Sequence, residues 1–587
     1  MNNQRWEMAN QKLMAKAFSE LDFEDLFEFD ILVQAKGGIE NIEIVLNGHC
    51  WSYQAKQSIW GMRNPIAGSI KCNDKNNPTI TQLLIDIQET VSINDIDLSG
   101  LLEEIQQTLF SEIKRLEILD KVTTQDIVYC SEIQRQKYLD AHPKIIANKG
   151  RLGWGEAELA RYSPETSEGF QLRYIAIKRH LCHFGFRSDL TPLDILSKTM
   201  SEQDYSDIVA KIPQRDLNEY LVLAVHPWQY QRFITIQFQE YLQNEDIIDL
   251  GLLGGSWFPQ QSIRTVSTLD HSVPYDVKTA LTILNTSCYR GIPGKYIQQG
   301  PEISKWLANI ASRDPVLKKT GLHVQQELGG VYCPHPYQSK IEGAYRYSEM
   351  LGCIWRERAE AVLSDNQRPL SMATLMQDDG QGNACINELI ASTGLSHEQW
   401  LRAMFRHVVI PIYHLMCRYG VGLVAHGQNV TLVLEDNVPT GCIIKDFHGD
   451  LRLVDQPYPE LASLEQSIQD NLTRLPPHYL VHDLLTGHFV TVLRFVSPWL
   501  ESEGVSETLF YGYLADEVKT YQTSHPELED RFKQFNLLSE SIDKLCLNRV
   551  RFKIGYGDSS ERPLPELGKP IPNPLLIGLT ALDKQKR

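Results

Sequence analysis

The sequence predicts a multidomain α+β protein, and three observations carry that expectation. At 587 residues the chain is too long for one hydrophobic core, which points to about two to three domains. Segments with helical apolar periodicity are interspersed with short β-rich runs. Gly- and Pro-rich punctuation separates three regions, residues 1–140, 141–375 and 376–587.

Within the first region, Leu101 to Leu119 places apolar residues at three- and four-residue intervals, the pattern of an amphipathic helix. The stretch CNDKNNP from Cys72 reads as a turn between strand-like and helical sequence. The middle region holds β-rich runs such as YLVLAVHP and TALTILNTS. The last region opens with a helix: Ser396 and Gln399 form a capping box, and Trp400, Leu401, Met404, Phe405, Val408 and Ile412 share a face. Pro411 is expected to kink that helix and Gly420 to end it. The tail ERPLPELGKPIPNPL is expected to lack regular structure and to wrap the surface.

Composition narrows the function. A 42% hydrophobic and 22% charged chain is of ordinary globular type, and a net charge of −17 argues against a nucleic-acid partner. The eleven cysteines are scattered from Cys50 to Cys546 with no CxxC, as expected for reduced thiols. The N-terminus carries acids early and does not read as a signal peptide. The longest apolar stretch, Val408 to Ala425, is interrupted by Pro411, His414 and Arg418. A cytoplasmic protein with no membrane partner is expected.

No GxxxxGK[ST] loop, complete GxGxxG, HExxH or nucleophile elbow is present. Cations and small hydroxyls are instead concentrated in short segments. HPKIIANKGRLGWG offers His142, Lys144, Lys149 and Arg151; QQSIRTVSTLD offers Ser262, Arg264 and Thr265. On a strand, Ser262 and Arg264 would share one face and could grip one phosphate. DVKTALTILNTSCYRGIPGKY offers Lys278, Thr286, Ser287 and Arg290, while His226 and Trp228 in AVHPWQYQ read as packed core residues. Each cationic segment alone is as readily a solvated loop or an ordinary salt bridge.

The stretch VAHGQNVTLVLEDNVPTGCIIKDFHGD resembles the nucleotide-binding hairpin of kinase-like phosphotransferases. Its base position, however, holds Gln428, an amide that takes no proton, and the residue five further on is Val433. His426, Asn429 and Asp446 border two strands, and a carboxylate with an amide is a hard-oxygen pair that Mg²⁺ accepts. Together the segments describe a pocket for a polyanion bound with a metal.

In this order, the segments resemble the NRPS-independent siderophore synthetases, the IucA/IucC family. The likeness runs through HPKIIANKGRLGWG, VHPWQ, NTSCYRGIPGKYI, YHLMCRYGVGLVAHGQN and KDFHGDLRLV. It implies a cupped hand with a thumb-like domain at 1–140, fingers at 141–375 and a mainly helical palm at 376–587. It further implies ATP and Mg²⁺, used to adenylate a carboxylate of citrate or a citrate mono-amide. A hydroxamate-bearing amine such as N6-acetyl-N6-hydroxylysine would then displace AMP. A carboxylate is already ionised and needs no base, which accounts for Gln428.

By the same resemblance, Ser262, Arg264, Thr265 and Lys278 would hold the triphosphate, with His426, Asn429 and Asp446 completing the nucleotide site and Asp446 the metal site. His142, Lys149, Arg151, Thr286, Ser287 and Arg290 would face the acid, and Lys553 the acceptor. Lys278, Arg290 and His426 are the expected catalytic groups. Where many family members carry a second His-Pro, this chain has Ile145-Ile146, a change that concerns the carboxylate side and His142. A homodimer is expected. Three alternatives stand beside this reading: a synthetase that oligomerises or cyclises N-hydroxy-N-succinyl diamines, a kinase-like phosphotransferase, and a binding protein for ferric siderophore.

Overall fold

The computed structural model describes residues 3–27, 30–34, 38–73, 77–212, 218–286, 288–554, 558 and 565–585. It mixes helix and sheet, as expected. Near the N-terminus, helices α1 (Asn3–Phe23) and α2 (Asp95–Leu119) cover an antiparallel sheet centred on Ile39–Leu46 and His49–Gln57. Leu13, Phe18, Trp51, Ile105 and Leu109 are among the apolar residues buried between them. Helix α2 begins earlier than its apolar stripe because the Asn94 side chain accepts from the Asp97 amide and caps it there.

An eight-stranded antiparallel sheet dominates the middle of the chain. Its order is His183–Phe186, Glu327–Tyr332, Gly352–Glu357, Tyr275–Thr279, Thr265–Thr268, Ile247–Pro259, Phe170–Lys178 and Tyr220–Val225. Three of these strands matter for the site: β1 (Thr265–Thr268), β2 (Tyr275–Thr279) and β3 (Gly352–Glu357). Thr265 lies opposite Lys278, and across β2 and β3 Lys278 lies opposite Ile354 while Asp276 lies opposite Arg356. Since side chains alternate along a strand, Asp276 and Lys278 emerge on the same face.

A four-stranded sheet carries the second half of the site. Hairpin strands β4 (Val430–Glu435) and β5 (Val438–Ile444) are joined by Asp436-Asn437, both at positive φ (48° and 64°), as a two-residue hairpin turn of the primed type needs. The sheet is completed by Gln367–Ser371 beside β4 and by Leu322–Val324 running parallel to β5. Helix α3 (His397–Tyr419) packs on it. The Ser396/Gln399 capping box is present, and Gly420 ends the helix at φ +65°. Helix α3 runs through Pro411 as one element. Among the described residues, no helix is long and apolar enough to cross a membrane.

The tail differs from expectation. Glu566–Leu567 and Ile571–Pro572 form short bridges to Leu545–Cys546 and Ser541–Ile542, and a helix spans Pro574–Gln585. Proline at the first helical position gives up an N–H that would have no partner there, and Asn573 caps the Leu575 amide at 3.0 Å.

Buried carboxylates on α1 and in the turn directly after it hold distant parts of the chain together. Glu20 pairs with Lys144 at 3.1 Å and also with Arg494. Glu24 accepts from Lys144 (3.1 Å) and from the backbone amides of Leu547, Asn548 and Arg549 (3.0, 3.0 and 2.7 Å), so it caps helix α4 (Leu547–Ile554) from across the molecule. Glu24→Gln keeps the shape but removes the charge, and should cost about 2–4 kcal/mol in urea unfolding. The amides of Leu547, Asn548 and Arg549 should lose protection from hydrogen exchange; unchanged protection would show that α4 does not rely on this cap.

Candidate active site

The cleft between the two sheets encloses about 1120 Å³ including its open mouth. One wall is the face of β1, β2 and β3 that presents Thr265, Asp276 and Arg356; the other is the rim of the β4–β5 hairpin with His426, Gln428, Asn429, Lys445 and Asp446. The Lys278 ammonium joins the two walls through an ion pair with Asp446. Burial would push the Asp446 carboxyl up, but Lys278, Arg356 and Arg264 together hold it well below the usual carboxylate range. Burial lowers the Lys278 ammonium, and Asp446 offsets only part of that. Asp446 itself sits at φ +66°, a conformation L residues enter at a cost, and it turns the chain sharply out of β5.

Asn429 is buried and donates both amide hydrogens away from the cleft, to the Val424 carbonyl and to Asp450, each at 3.0 Å. Its carbonyl oxygen is thereby left for a ligand or cation. His426 and His142 stand edge to face with ring centroids 6.4 Å apart. Each accepts backbone N–H through Nδ1: His426 from Gln428 (3.2 Å), His142 from Lys144 and Ile145 (both 3.3 Å). In the neutral ring the proton then resides on Nε2, a donor suited to an anion. Burial lowers both imidazoles from their ordinary value; the neighbouring His426, Lys16, Lys144 and Arg290 push His142 down further, whereas Asp450 and Asp446 partly offset burial at His426.

Several expected groups are placed differently. Ser262 and Arg264 are on a turn, not a strand: Ile263 at φ +59° breaks the alternation, and β1 starts only at Thr265. Ser262 Oγ is buried in the cleft wall with no hydrogen-bond partner among the described residues, and Arg264 donates to the Gly291 carbonyl. Arg290 donates to the Asn285 carbonyl (2.8 Å) and to Thr286 Oγ1, on the side of the cleft near His142.

Lys149 and Arg151 are not brought to the cleft. Lys149 is buried against Glu112 (2.6 Å) and Asp140 (2.8 Å), and Arg151 against both oxygens of Glu165 (2.8 and 2.9 Å). A cation this deep needs a carboxylate, and the fold supplies one to each. Ser287 lies outside the described residues, and so does the side chain of Lys553. His226 is a core residue, packed on Tyr162 and Phe170 with centroids 4.6 and 4.9 Å away, and burial lowers it to about 3.

Sequence reasoning missed Arg356, Lys445 and Asp276. Asp276 was within reach, two residues before Lys278 and therefore on its face of the strand. Arg356 carries no local signal in GCIWRE, since its role comes from the pairing of β3 with β2. Asp276 is tied to Ser267 Oγ (2.6 Å) and to the amides of Gln260 and Gln325 (both 3.3 Å).

Comparison with known proteins agrees with this architecture. The IucA / IucC family model matches residues 132–377, and the model described as ferric iron reductase FhuF-like transporter matches residues 398–559. The chain is 37% identical to aerobactin synthase of Escherichia coli over 580 residues, covering 98% of this chain and 99% of that protein. It is 37% identical to aerobactin synthase of Vibrio mimicus over 587 residues, 98% of each. Among solved structures, aerobactin synthetase IucC of Klebsiella pneumoniae superposes with a TM-score of 0.87 at 36% identity, over 98% of this chain and all of that one. These relatives support a ligase of the siderophore-forming class. The chain belongs to the IucA/IucC family.

The buried pairing of Arg151 gives a test. Arg151→Met strands the Glu165 carboxylate and should cost about 3–5 kcal/mol of stability. Catalytic constants per folded molecule should stay at the wild-type level. A fully folded Arg151→Met protein with a raised KM for its acid substrate would return Arg151 to the substrate site.

Proposed function

We propose that this chain is an ATP-dependent ligase that activates a carboxylate of citrate or a citrate mono-amide as an acyl adenylate. It then transfers the acyl group to a hydroxamate-bearing amine such as N6-acetyl-N6-hydroxylysine, the type of bond that completes aerobactin. The full-length identity to proteins named aerobactin synthase supports the product class. One structural observation carries the chemistry: the cleft converges cations and hydrogen-bond donors, yet places Gln428, not a base, beside His426.

The acid's carboxylate, already ionised, attacks the α-phosphorus of ATP and pyrophosphate leaves. The amine then attacks the acyl carbon, loses a proton on forming the amide, and AMP leaves. Lys278 stabilises the charge developing on the phosphorus, and Ser262 Oγ supplies a hydroxyl with no protein partner among the described residues. The Nε2–H groups of His426 and His142, with Arg290 and Thr286, orient the acid and its adenylate. Mg²⁺, when bound, would be held by Asp446 and the Asn429 carbonyl together with phosphate oxygens, and would neutralise phosphate charge. Phosphate binding would draw Lys278 from Asp446 and release that carboxylate for the metal. The division into thumb-like, fingers and palm regions belongs to the same reading; separate apolar cores support the first two, whereas the largest core joins Phe23, Trp306 and Leu322 to the palm residues.

The deciding measurement is nucleotide product analysis with citrate, its mono-amide and a panel of hydroxamate amines. AMP and pyrophosphate are expected; ADP as the main product would defeat the reading in favour of a phosphotransferase. Lys278→Ala should lower adenylation by roughly a hundredfold, about 3 kcal/mol in the barrier. Gln428→Asp brings a further negative charge to an anion site, so it should slow adenylation and create no ADP-forming activity. A faster, ADP-forming Gln428→Asp enzyme would show that the missing base had mattered.

A further inference from the structure

We infer that Arg356, with Lys445 beside it, grips the pyrophosphate half of the bound nucleotide, an inference that rests on the adenylation reading. Arg356 is 4% exposed and lines the cleft, and its Nε is buried with no hydrogen-bond partner among the described residues. Among the described residues no carboxylate forms an ion pair with it, although buried guanidinium groups elsewhere in the chain have theirs: Arg115 with Glu112, Arg151 with Glu165 and Arg494 with Glu20. The carboxylate directly opposite, Asp276, is taken up by Ser267, Gln260 and Gln325. Lys445 lines the same part of the cleft, also without an ion pair among the described residues, and burial and the nearby Arg356 lower its ammonium. Neither cation forms an ion pair among the described residues, although Asp446 acts on both and Asp276 and Glu132 on Lys445 through space, and an anion of more than one charge entering the cleft can pair with both.

Register indicates which part of the nucleotide that anion is. Lys278 occupies the row of Thr265 and Ile354; Arg356 occupies the row of Asp276, two residues further along the strand. That step is about 6.8 Å. It leads away from Thr279, Arg264 and Gly291, and hence from Arg290 and the acid side of the cleft. In-line displacement needs the attacking carboxylate and the departing pyrophosphate on opposite sides of the α-phosphorus. With the acid on the Arg290 side and Lys278 at the α-phosphate, the leaving group falls on Arg356 and Lys445.

The test is calorimetric titration of the full-length protein with pyrophosphate, ATP, AMP and citrate, each with Mg²⁺ and without the amine. Arg356→Met should weaken pyrophosphate and ATP by about tenfold to a hundredfold and leave AMP within about twofold, with Arg356→Lys in between. Retained AMP binding also reports that the variant is folded; should Arg356→Met fail to fold, Arg356→Lys and Lys445→Met carry the same comparison. Equal weakening of AMP would place Arg356 on the nucleoside, and weakening of citrate alone would place it on the acid; either overturns the inference, as does unchanged pyrophosphate binding. A wild-type protein that binds neither ATP nor pyrophosphate would instead remove the adenylation reading itself.

Discussion

Charge cannot be left uncompensated away from water, and that constraint organises this molecule from its long-range ion pairs to its cleft. Stripping an ion of water costs several kcal/mol even after the protein relaxes. The fold answers with a carboxylate for Lys144, Lys149, Arg151, Arg494 and Lys278. Against that background the cleft cations that form no ion pair among the described residues, Arg356 and Lys445, are informative, and they are the ones proposed to meet an anionic ligand. The Lys278–Asp446 pair lies between these cases, joining the two walls of the cleft, and in the proposed reaction a phosphate takes its place.

Helices α1 and α2 serve as the anionic frame. Buried Glu20, Glu104 and Glu112 on them, with Glu24 in the turn after α1, receive Lys144 and Lys149 from the segment after residue 140, and Arg494 and Arg551 from the last third of the chain. Lys144 and Lys149 thereby pin the segment that carries His142, and Gly150 lets it pass over Glu104, whose Cγ would lie 2.8 Å from any Cβ there. The basic character of HPKIIANKGR is therefore mostly anchorage, with His142 the group it delivers to the cleft.

The boundary between what the sequence shows and what it hides follows the range of the interactions. Capping by Ser396, the stop at Gly420 and the hairpin turn at Asp436-Asn437 are local and can be read directly. So can the contributions of His426, Asn429 and Asp446, which cluster around one hairpin. Lys149 and Arg151 misled because a cation's partner may be far off in sequence; Glu112 is 37 residues from Lys149. Ser262 and Arg264 misled because alternation was assumed through Ile263, where the backbone turns left-handed. Arg356 stayed hidden because strand register, not composition, puts it opposite Asp276.

The two family models meet the chain on either side of residues 378–397, as though it were a pair of separable modules. The four-stranded sheet contradicts such modularity. Its hairpin β4–β5 is flanked by Gln367–Ser371 and Leu322–Val324, both contributed from the first side of that division. A fragment starting after Met376 would bare the backbone of both outer edges of the hairpin, in a sheet whose strands β4 and β5 are largely buried. Recombination within this family is therefore expected to respect the interleaved strands, exchanging surface loops or whole chains in preference to halves.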